Sequence, residues 1–200
     1  MVATVHILIL AAGASSRMRG ADKLVQPVND MPMLRHIATV ALATGCPVTV
    51  TLPPDATARQ AALEGLPLDL VPVPDASQGM SRSLIRGVQA LAEAGPTDGL
   101  MILPADMPGF TTAALQGLVE QFQSDPTRIL RGGTTEGQPG HPAIFPRDLW
   151  PALERISGDE GGRSVLQQNK GRVRVIPLPG PMSVLDLDTP EDWAAWRGAP

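Results

Sequence analysis

Cysteine is almost missing from this chain: Cys46 is the only one in 200 residues, and histidine occurs only as His6, His36 and His141. One thiol and three scattered imidazoles cannot build a disulfide framework or a structural zinc site, so an intracellular protein is expected. Long apolar runs are missing too. Nothing approaches the ~20 residues that span a bilayer. The first apolar run starts almost at the initiator, without a charged leader or cleavage site. These absences predict a soluble, cytoplasmic protein with no membrane partner. A basic excess is absent as well: the net charge of -4 argues against a general nucleic-acid binder, which carries a basic stripe, and leaves room for a small anion in a local pocket. Neither G-x-x-x-x-G-K-S/T nor a G-x-G-x-x-G after the first strand occurs, which sets aside P-loop hydrolases and dinucleotide-binding oxidoreductases in their usual form.

In their place stands Leu10-Ala11-Ala12-Gly13-Ala14-Ser15-Ser16-Arg17-Met18-Arg19-Gly20-Ala21-Asp22-Lys23. The preceding Val5–Leu10 reads as a buried parallel strand, and ligands of open α/β sheets sit beyond the carboxyl ends of strands. Ala12 to Ser16 have small side chains or none, so successive N–H groups can converge on phosphate oxygens. Arg17 adds a planar fork and Lys23 a mobile point charge. Lysine is scarce, Lys23 and Lys170 being the only two among 16 Lys and Arg residues, so a lysine in this loop points to function. The bland reading is a small-residue turn followed by solvated charges.

With 43% hydrophobic residues the chain suits a single domain over 1–200, and its 20 Gly and 21 Pro fall between apolar runs as tight loops. Strands are expected at Val5–Leu10, Val48–Leu52, Leu68–Val73 and Leu100–Leu103. Helices are expected near Pro32–Thr44, Asp55–Leu63, Ser81–Glu93 and Thr112–Gln123. This βαβ rhythm announces a three-layer α/β fold with a mostly parallel sheet. After Asp125-Pro126 the rhythm changes. Short strands at Ile129–Arg131 and Ala143–Phe145 flank a Gly-rich loop, and a helix near Arg147–Arg155 follows, so roughly 126–182 is expected to form a substrate-side subregion. Arg172–Pro177 and Val184–Leu187 return as strands, and Pro190–Arg197 closes as a helix capped by Thr189.

Asp106 follows the strand Leu100–Leu103 and should stand at the same sheet edge as the Gly13 loop. It suits magnesium, which takes one or two protein carboxylates and fills its shell with water and phosphate oxygens; capping a turn before Pro108 is the plain alternative. Asp186 and Asp188 end the last expected strand, where their spacing puts both on one face. Asp188 is expected as the second ligand and Asp186 as its support, with helix capping as the other use. Gln78-Gly79-Met80-Ser81-Arg82-Ser83-Leu84 opens a helix at the same edge, where Gly79, Ser81 and Ser83 suit the polar rim of a nucleobase, or Ser81 caps the helix. Two further loops, around Gly140 and His141 and around Asp159 and Arg163, are candidates to face a second substrate. His6, His36 and Cys46 read as structural.

Taken as an ordered set, these motifs resemble the nucleotidyltransferases that activate the molybdenum cofactor, the molybdopterin cytidylyl- and guanylyltransferases. The set comprises Leu10-Ala11-Ala12-Gly13-x-Ser15-x-Arg17-Met18 with Lys23, Gln78-Gly79-Met80-Ser81-x-Ser83-Leu84, Asp106-Met107-Pro108, Gly140-His141-Pro142, Gly158-Asp159-x-Gly161-x-Arg163 and Asp186-x-Asp188-Thr189-Pro190. The resemblance implies a Rossmann-like fold and magnesium-dependent nucleotidyl transfer to a phosphate with release of pyrophosphate. Its implied residue roles are Arg17, Lys23 and Asp106 in catalysis, Ala11 to Ser15 with Arg17, Lys23, Gly79, Ser81 and Ser83 around the nucleotide, Gly140, His141, Asp159 and Arg163 around the acceptor, and Asp106 with Asp188 on the metal. Ala11-Ala12-Gly13, where guanylyltransferases usually read Ala-Gly-Gly, looks like the cytidylyl branch, so CTP is the expected donor and GTP the alternative. A molybdopterin-type phosphate is the expected acceptor, with a sugar phosphate or methylerythritol phosphate as alternatives and a client molybdoenzyme or its chaperone as a further partner. A non-catalytic nucleotide-binding partner is the reading of another class. The chain departs from the family at Arg19, where Gly more often follows Met18 directly.

Overall fold

The computed structural model describes residues 2–95, 98–158 and 161–197. Its strands are β1 (Val5–Leu10), β2 (Pro27–Val28), β3 (Met31–Pro32), β4 (Val48–Leu52), β5 (Asp69–Pro72), β6 (Gly99–Pro104), β7 (Ile129–Gly133), β8 (Pro139–Pro146) and β9 (Val173–Pro177). Its α-helices are α1 (Met33–Leu42), α2 (Thr57–Leu63), α3 (Met80–Ala90), α4 (Thr112–Ser124), α5 (Trp150–Leu153), α6 (Arg163–Gln168) and α7 (Pro190–Arg197). Seven strands form one sheet in the order β5-β4-β1-β6-β8-β7-β9, and β2 with β3 makes a separate ribbon. Only β8 runs against its neighbours in the large sheet. The sheet is therefore mostly parallel, with helices on both faces, as the βαβ rhythm predicts.

Period-2 alternation divides the core between the faces. Val5, Ile7 and Ile9 of β1, with Met101 and Leu103 of β6, pack beneath α1, α2, α4 and α7. Leu8, with Leu100 and Ile102, packs beneath α3, α5 and α6, where Leu84, Val88, Trp150 and Val165 meet Phe145. Because β1 and β6 are covered on both sides, they read as continuous apolar runs rather than as alternating strands.

Two helix starts have legible chemistry. Thr111 caps α4 by accepting from the Ala114 N–H at 3.2 Å. At α7, Thr189 Oγ1 accepts from the Asp192 N–H at 3.2 Å while the Asp192 carboxylate accepts from the Thr189 N–H at 2.8 Å, a reciprocal capping box that fixes the chain just after Asp188.

Several expectations are corrected. Val184–Leu187 is not a strand: a turn closes on Pro181 O, which accepts from Val184 and Leu185, and the chain then crosses the strand ends instead of pairing along one. Gly140 and His141 do not lie in a loop but in β8, because the turn that precedes them closes earlier, from the Gly137 N–H to Thr134 O. The helix expected at Arg147–Arg155 is a 3-10 turn over Arg147–Leu149 followed by the four residues of α5. Ser81 does not cap α3; that place belongs to Gly79, whose φ of 115° is one that side chains rarely adopt. Within 126–182 the expected strands are present as β7, β8 and β9 of the main sheet.

Candidate active site

The loop between β1 and the 3-10 turn at Lys23–Val25 lies at the carboxyl edge of the sheet. Ala11 forms its floor: it is fully buried, its N–H donates to Thr51 O at 3.1 Å and its carbonyl accepts from Arg59 Nη1 at 2.6 Å. Beyond it the N–H groups of Ala12, Gly13, Ala14, Ser15 and Ser16 make no hydrogen bond among the described residues, and Gly13, Ala14 and Ser16 are exposed. That is the free donor set an anion needs. Ser15 takes a left-handed turn, and its hydroxyl is spent inside the loop, donating to Asp22 Oδ1 at 3.2 Å and accepting from the Lys23 N–H. Arg19, the departure from the family pattern, also adopts a left-handed conformation. The loop turns there, and Lys23 still reaches the sheet edge.

Lys23 Nζ lies 2.5 Å from Asp106 Oδ2 and 2.5 Å from Asp188 Oδ1. Burial would push this ammonium down, but the charges and hydrogen bonds of Asp106 and Asp188 outweigh it and hold the pKa above its ordinary value. Asp188 Oδ2 also meets Arg17 Nη2 at 2.6 Å; this arginine is otherwise largely exposed and free to swing toward a ligand. Burial, then the charges of the nearby Asp188 and Asp106, push the Asp186 carboxyl above its ordinary value. The crossing segment 181–188 holds these acids in place. The Leu187 N–H donates to Asp106 O at 3.0 Å, the His141 N–H donates to Ser183 O at 2.7 Å, and a Cβ on Gly140 would stand 1.9 Å from Ser183 O. Gly140 is thus needed for the close approach of two backbones.

The acid cluster fits a hard cation. Asp106 and Asp188 each turn an oxygen to Lys23 Nζ, and among the described residues no group of three or more His, Cys, Asp or Glu side chains could hold a metal ion. Two carboxylates, with the remaining positions left for water and phosphate oxygens, would suit a hard divalent cation.

On the other side, Arg131 of β7 donates through Nε to Gly140 O at 2.8 Å. Burial, then the charge of Arg163 at the start of α6, pulls its guanidinium below the ordinary range. Neither arginine has an ion-pair partner among the described residues. His141 lies within electrostatic reach of both Arg131 and Asp106. Crowding by surrounding atoms, then the Arg131 charge, lowers its pKa while Asp106 opposes the shift, yet its surface is open. Two guanidiniums within electrostatic reach of each other, with no ion-pair partner among the described residues, are candidates to meet an anion.

The remaining candidates are placed differently. Ser81 and Ser83 are buried on the inner side of α3, where the Ser81 N–H donates to Gly158 O at 3.0 Å. Gly79 sits half-buried at the start of that helix. Asp159 lies outside the described residues. His6 pairs with Asp98 and His36 with Pro108 O, both away from the acids.

A loop of unbonded amides, two cations and a paired carboxylate site at the carboxyl edge of a mostly parallel sheet define a nucleotidyltransferase-type centre. The chain belongs to the MobA-like NTP transferase domain family, whose pattern it matches over residues 7–173. It is 28% identical to a probable molybdenum cofactor guanylyltransferase of Nostoc sp. over 96% of this chain and 89% of that one. It is 27% identical to the nicotine blue oxidoreductase of Paenarthrobacter nicotinovorans over 92% of each chain, and 30% identical to the purine catabolism protein PucB of Bacillus subtilis over 96% and 95%. Among solved structures, Rv0371c of Mycobacterium tuberculosis superposes with a TM-score of 0.83 at 28% identity, covering 98% of this chain and all of that one. A manganese complex of Rv0371c gives a TM-score of 0.76 at 27% identity over 96% and 97%. A 4-diphosphocytidyl-2C-methyl-D-erythritol synthase shares the fold, with a TM-score of 0.76 at 19% identity over 98% of each chain.

Arg59, Asp22 and Arg131 escaped the sequence reading. Two of them had a signal: Arg59 stands on the same side of α2 as the buried Ala62 and Leu63, and Arg131 follows the apolar pair Ile129-Leu130 within β7.

Proposed function

We propose that this single domain, residues 1–200, transfers a nucleotidyl group from a nucleoside triphosphate to the terminal phosphate of a molybdopterin-type acceptor and releases pyrophosphate. The observation that carries the reading is Lys23 held between Asp106 and Asp188 beneath a loop of free N–H groups. In the reaction an acceptor phosphate oxygen forms a bond to the α-phosphorus as the bond from that phosphorus to the bridging oxygen breaks, and pyrophosphate leaves with the bonding pair. The N–H groups of Ala12 to Ser16 hold the polyphosphate, and Arg17 and Lys23 offset the charge that grows on it. Magnesium, for which Asp106 and Asp188 would be the ligands, supplies charge neutralisation at the phosphate oxygens. Asp186 supports Asp188. Gly79 opens the helix whose start borders the nucleobase. Arg131, His141 and Arg163, with Gly140, serve the acceptor side of the 126–182 stretch. Burial and the Arg131 charge hold the His141 pKa below its ordinary value and so favour the neutral imidazole, which leaves the acceptor's charge to the two arginines.

The small-residue loop Ala11-Ala12-Gly13 supports CTP as donor. The guanylyltransferase names of several relatives favour GTP as the second reading. In this reading the protein works in the cytoplasm and passes its product to a client molybdoenzyme or its chaperone. The test is pyrophosphate release with molybdopterin and each of the four ribonucleoside triphosphates in magnesium buffer. Release with CTP supports the reading as stated, release with GTP moves the donor, and release with neither rejects it.

A further inference from the structure

The guanidinium of Arg59 is 5% exposed although it carries a full charge, and it comes from α2, which the nucleotide-binding reading does not use. Its donors grip the site loop at three points. Nη1 donates to Ala11 O at 2.6 Å, Nη2 donates to Ser15 Oγ at 3.3 Å, and Nε and Nη2 fork onto the two oxygens of Asp22 at 2.7 Å and 2.9 Å. Asp22 in turn accepts from Ser15 Oγ and from the Leu24 N–H at 3.0 Å, and Ser15 Oγ accepts from the Lys23 N–H. One planar group thus ties the start, the middle and the end of a loop that otherwise has few backbone bonds.

Lys23 is the residue next to Asp22, and its ammonium must reach two carboxylates that come from distant parts of the chain. A flexible lysine stem has many alternatives in which Nζ faces water. What removes them is a fixed Cα position, and the Asp22–Arg59 fork is what fixes it. We infer that Arg59, acting through Asp22, is a positioning residue that holds the loop closed and sets Lys23 between Asp106 and Asp188. A lysine at position 59 could not replace it, because a point charge cannot form the fork and reach Ala11 O at once.

The geometric claim stands apart from the identity of any substrate; only its consequence for turnover rests on the nucleotidyl-transfer reading. The chain itself supplies the assay, since Lys23 and Lys170 are its only lysines. In the intact protein, competitive labelling with an amine-reactive reagent, read by mass spectrometry, finds Lys23 protected and Lys170 reactive. In Asp22→Asn, which keeps the side-chain shape, and in Arg59→Gln, labelling of Lys23 rises about tenfold or more while Lys170 is unchanged, as expected when a charge-assisted contact is lost. In a transfer assay the same variants raise the nucleotide KM and lower kcat, with the acceptor KM unmoved. Lys23 remaining protected in folded variants overturns the inference. Both lysines becoming reactive together in both variants also overturns it, because the pair would then hold the whole fold rather than this loop. An inactive intact protein whose Lys23 labelling responds as described leaves the positioning role standing and rejects only the transfer reading.

Discussion

Lys23 and Asp106, 83 residues apart in sequence, meet at 2.5 Å at the carboxyl edge of the sheet. Two adjacent parallel strands produce this contact. β1 ends in the loop that delivers Lys23 and β6 ends in the turn that delivers Asp106, and they pair in register from Val5 with Gly99 to Leu10 with Pro104. Strand pairing therefore aligns the two loops before any side-chain contact forms.

Asp106→Asn keeps the shape of the side chain and removes its charge from both Lys23 and the expected cation. Transfer should fall about a thousandfold or more, with Tm within a few degrees of the parent. Steady-state pyrophosphate release and a thermal melt check this together; near-parental turnover in a folded Asp106→Asn would remove Asp106 from the mechanism.

Arg131→Ala takes away a guanidinium that has no ion-pair partner among the described residues, and Arg163→Ala does the same at the start of α6. Each should raise the acceptor KM roughly 10- to 100-fold, the loss expected for a charge-assisted hydrogen bond, while nucleotide binding measured by calorimetry stays at the parental value. Weaker nucleotide binding with an unchanged acceptor KM would put these arginines on the donor side.

Most of the fold was legible. The buried strands β1, β4 and β6 are short apolar runs between turn-forming residues, and α1, α3 and α4 show helical spacing, so periodicity alone located them. Val184–Leu187 misled because its alternation of apolar and acidic residues is the pattern of a half-buried strand. Leu187 is indeed buried and Asp186 and Asp188 do approach Asp106, but the segment is held by isolated bonds to Asp106 and His141 rather than by a ladder. Ser81 and Ser83 misled for a different reason: a hydroxyl at a helix start reads as a cap or a ligand, and nothing local shows that α3 turns that side inward. The Asp22–Arg59 and Arg131–Arg163 relationships are invisible locally, since each joins distant positions.

Gly140→Ala tests the packing of the crossing segment. Its Cβ would meet Ser183 O at 1.9 Å, so one backbone must give way. The cost should be about 1–3 kcal/mol, seen as a lower urea midpoint, with a loss of transfer as Asp188 moves. A parental midpoint would mean that the two chains part without strain.

Acid stability should carry the mark of Asp22. Burial raises its carboxyl, but the hydrogen bond from Arg59, the bond from the Leu24 N–H and the Arg59 charge outweigh that and lower the pKa below the ordinary 3.8. The stabilisation is therefore complete above the ordinary value and is lost as pH falls through the lower folded value. Asp22→Asn should cost about 1–2 kcal/mol at neutral pH, and the gap to the parent should close in strong acid. A gap independent of pH in chemical denaturation would contradict this.

The most direct measurement is calorimetric titration of the protein with CTP, GTP, ATP and UTP, each with and without magnesium, beside Asp106→Asn. The account predicts that one nucleotide, CTP first and GTP as the alternative, binds with magnesium and loses most of its affinity when either the metal or the Asp106 charge is removed. Binding that ignores both, or no binding of any triphosphate, would contradict it.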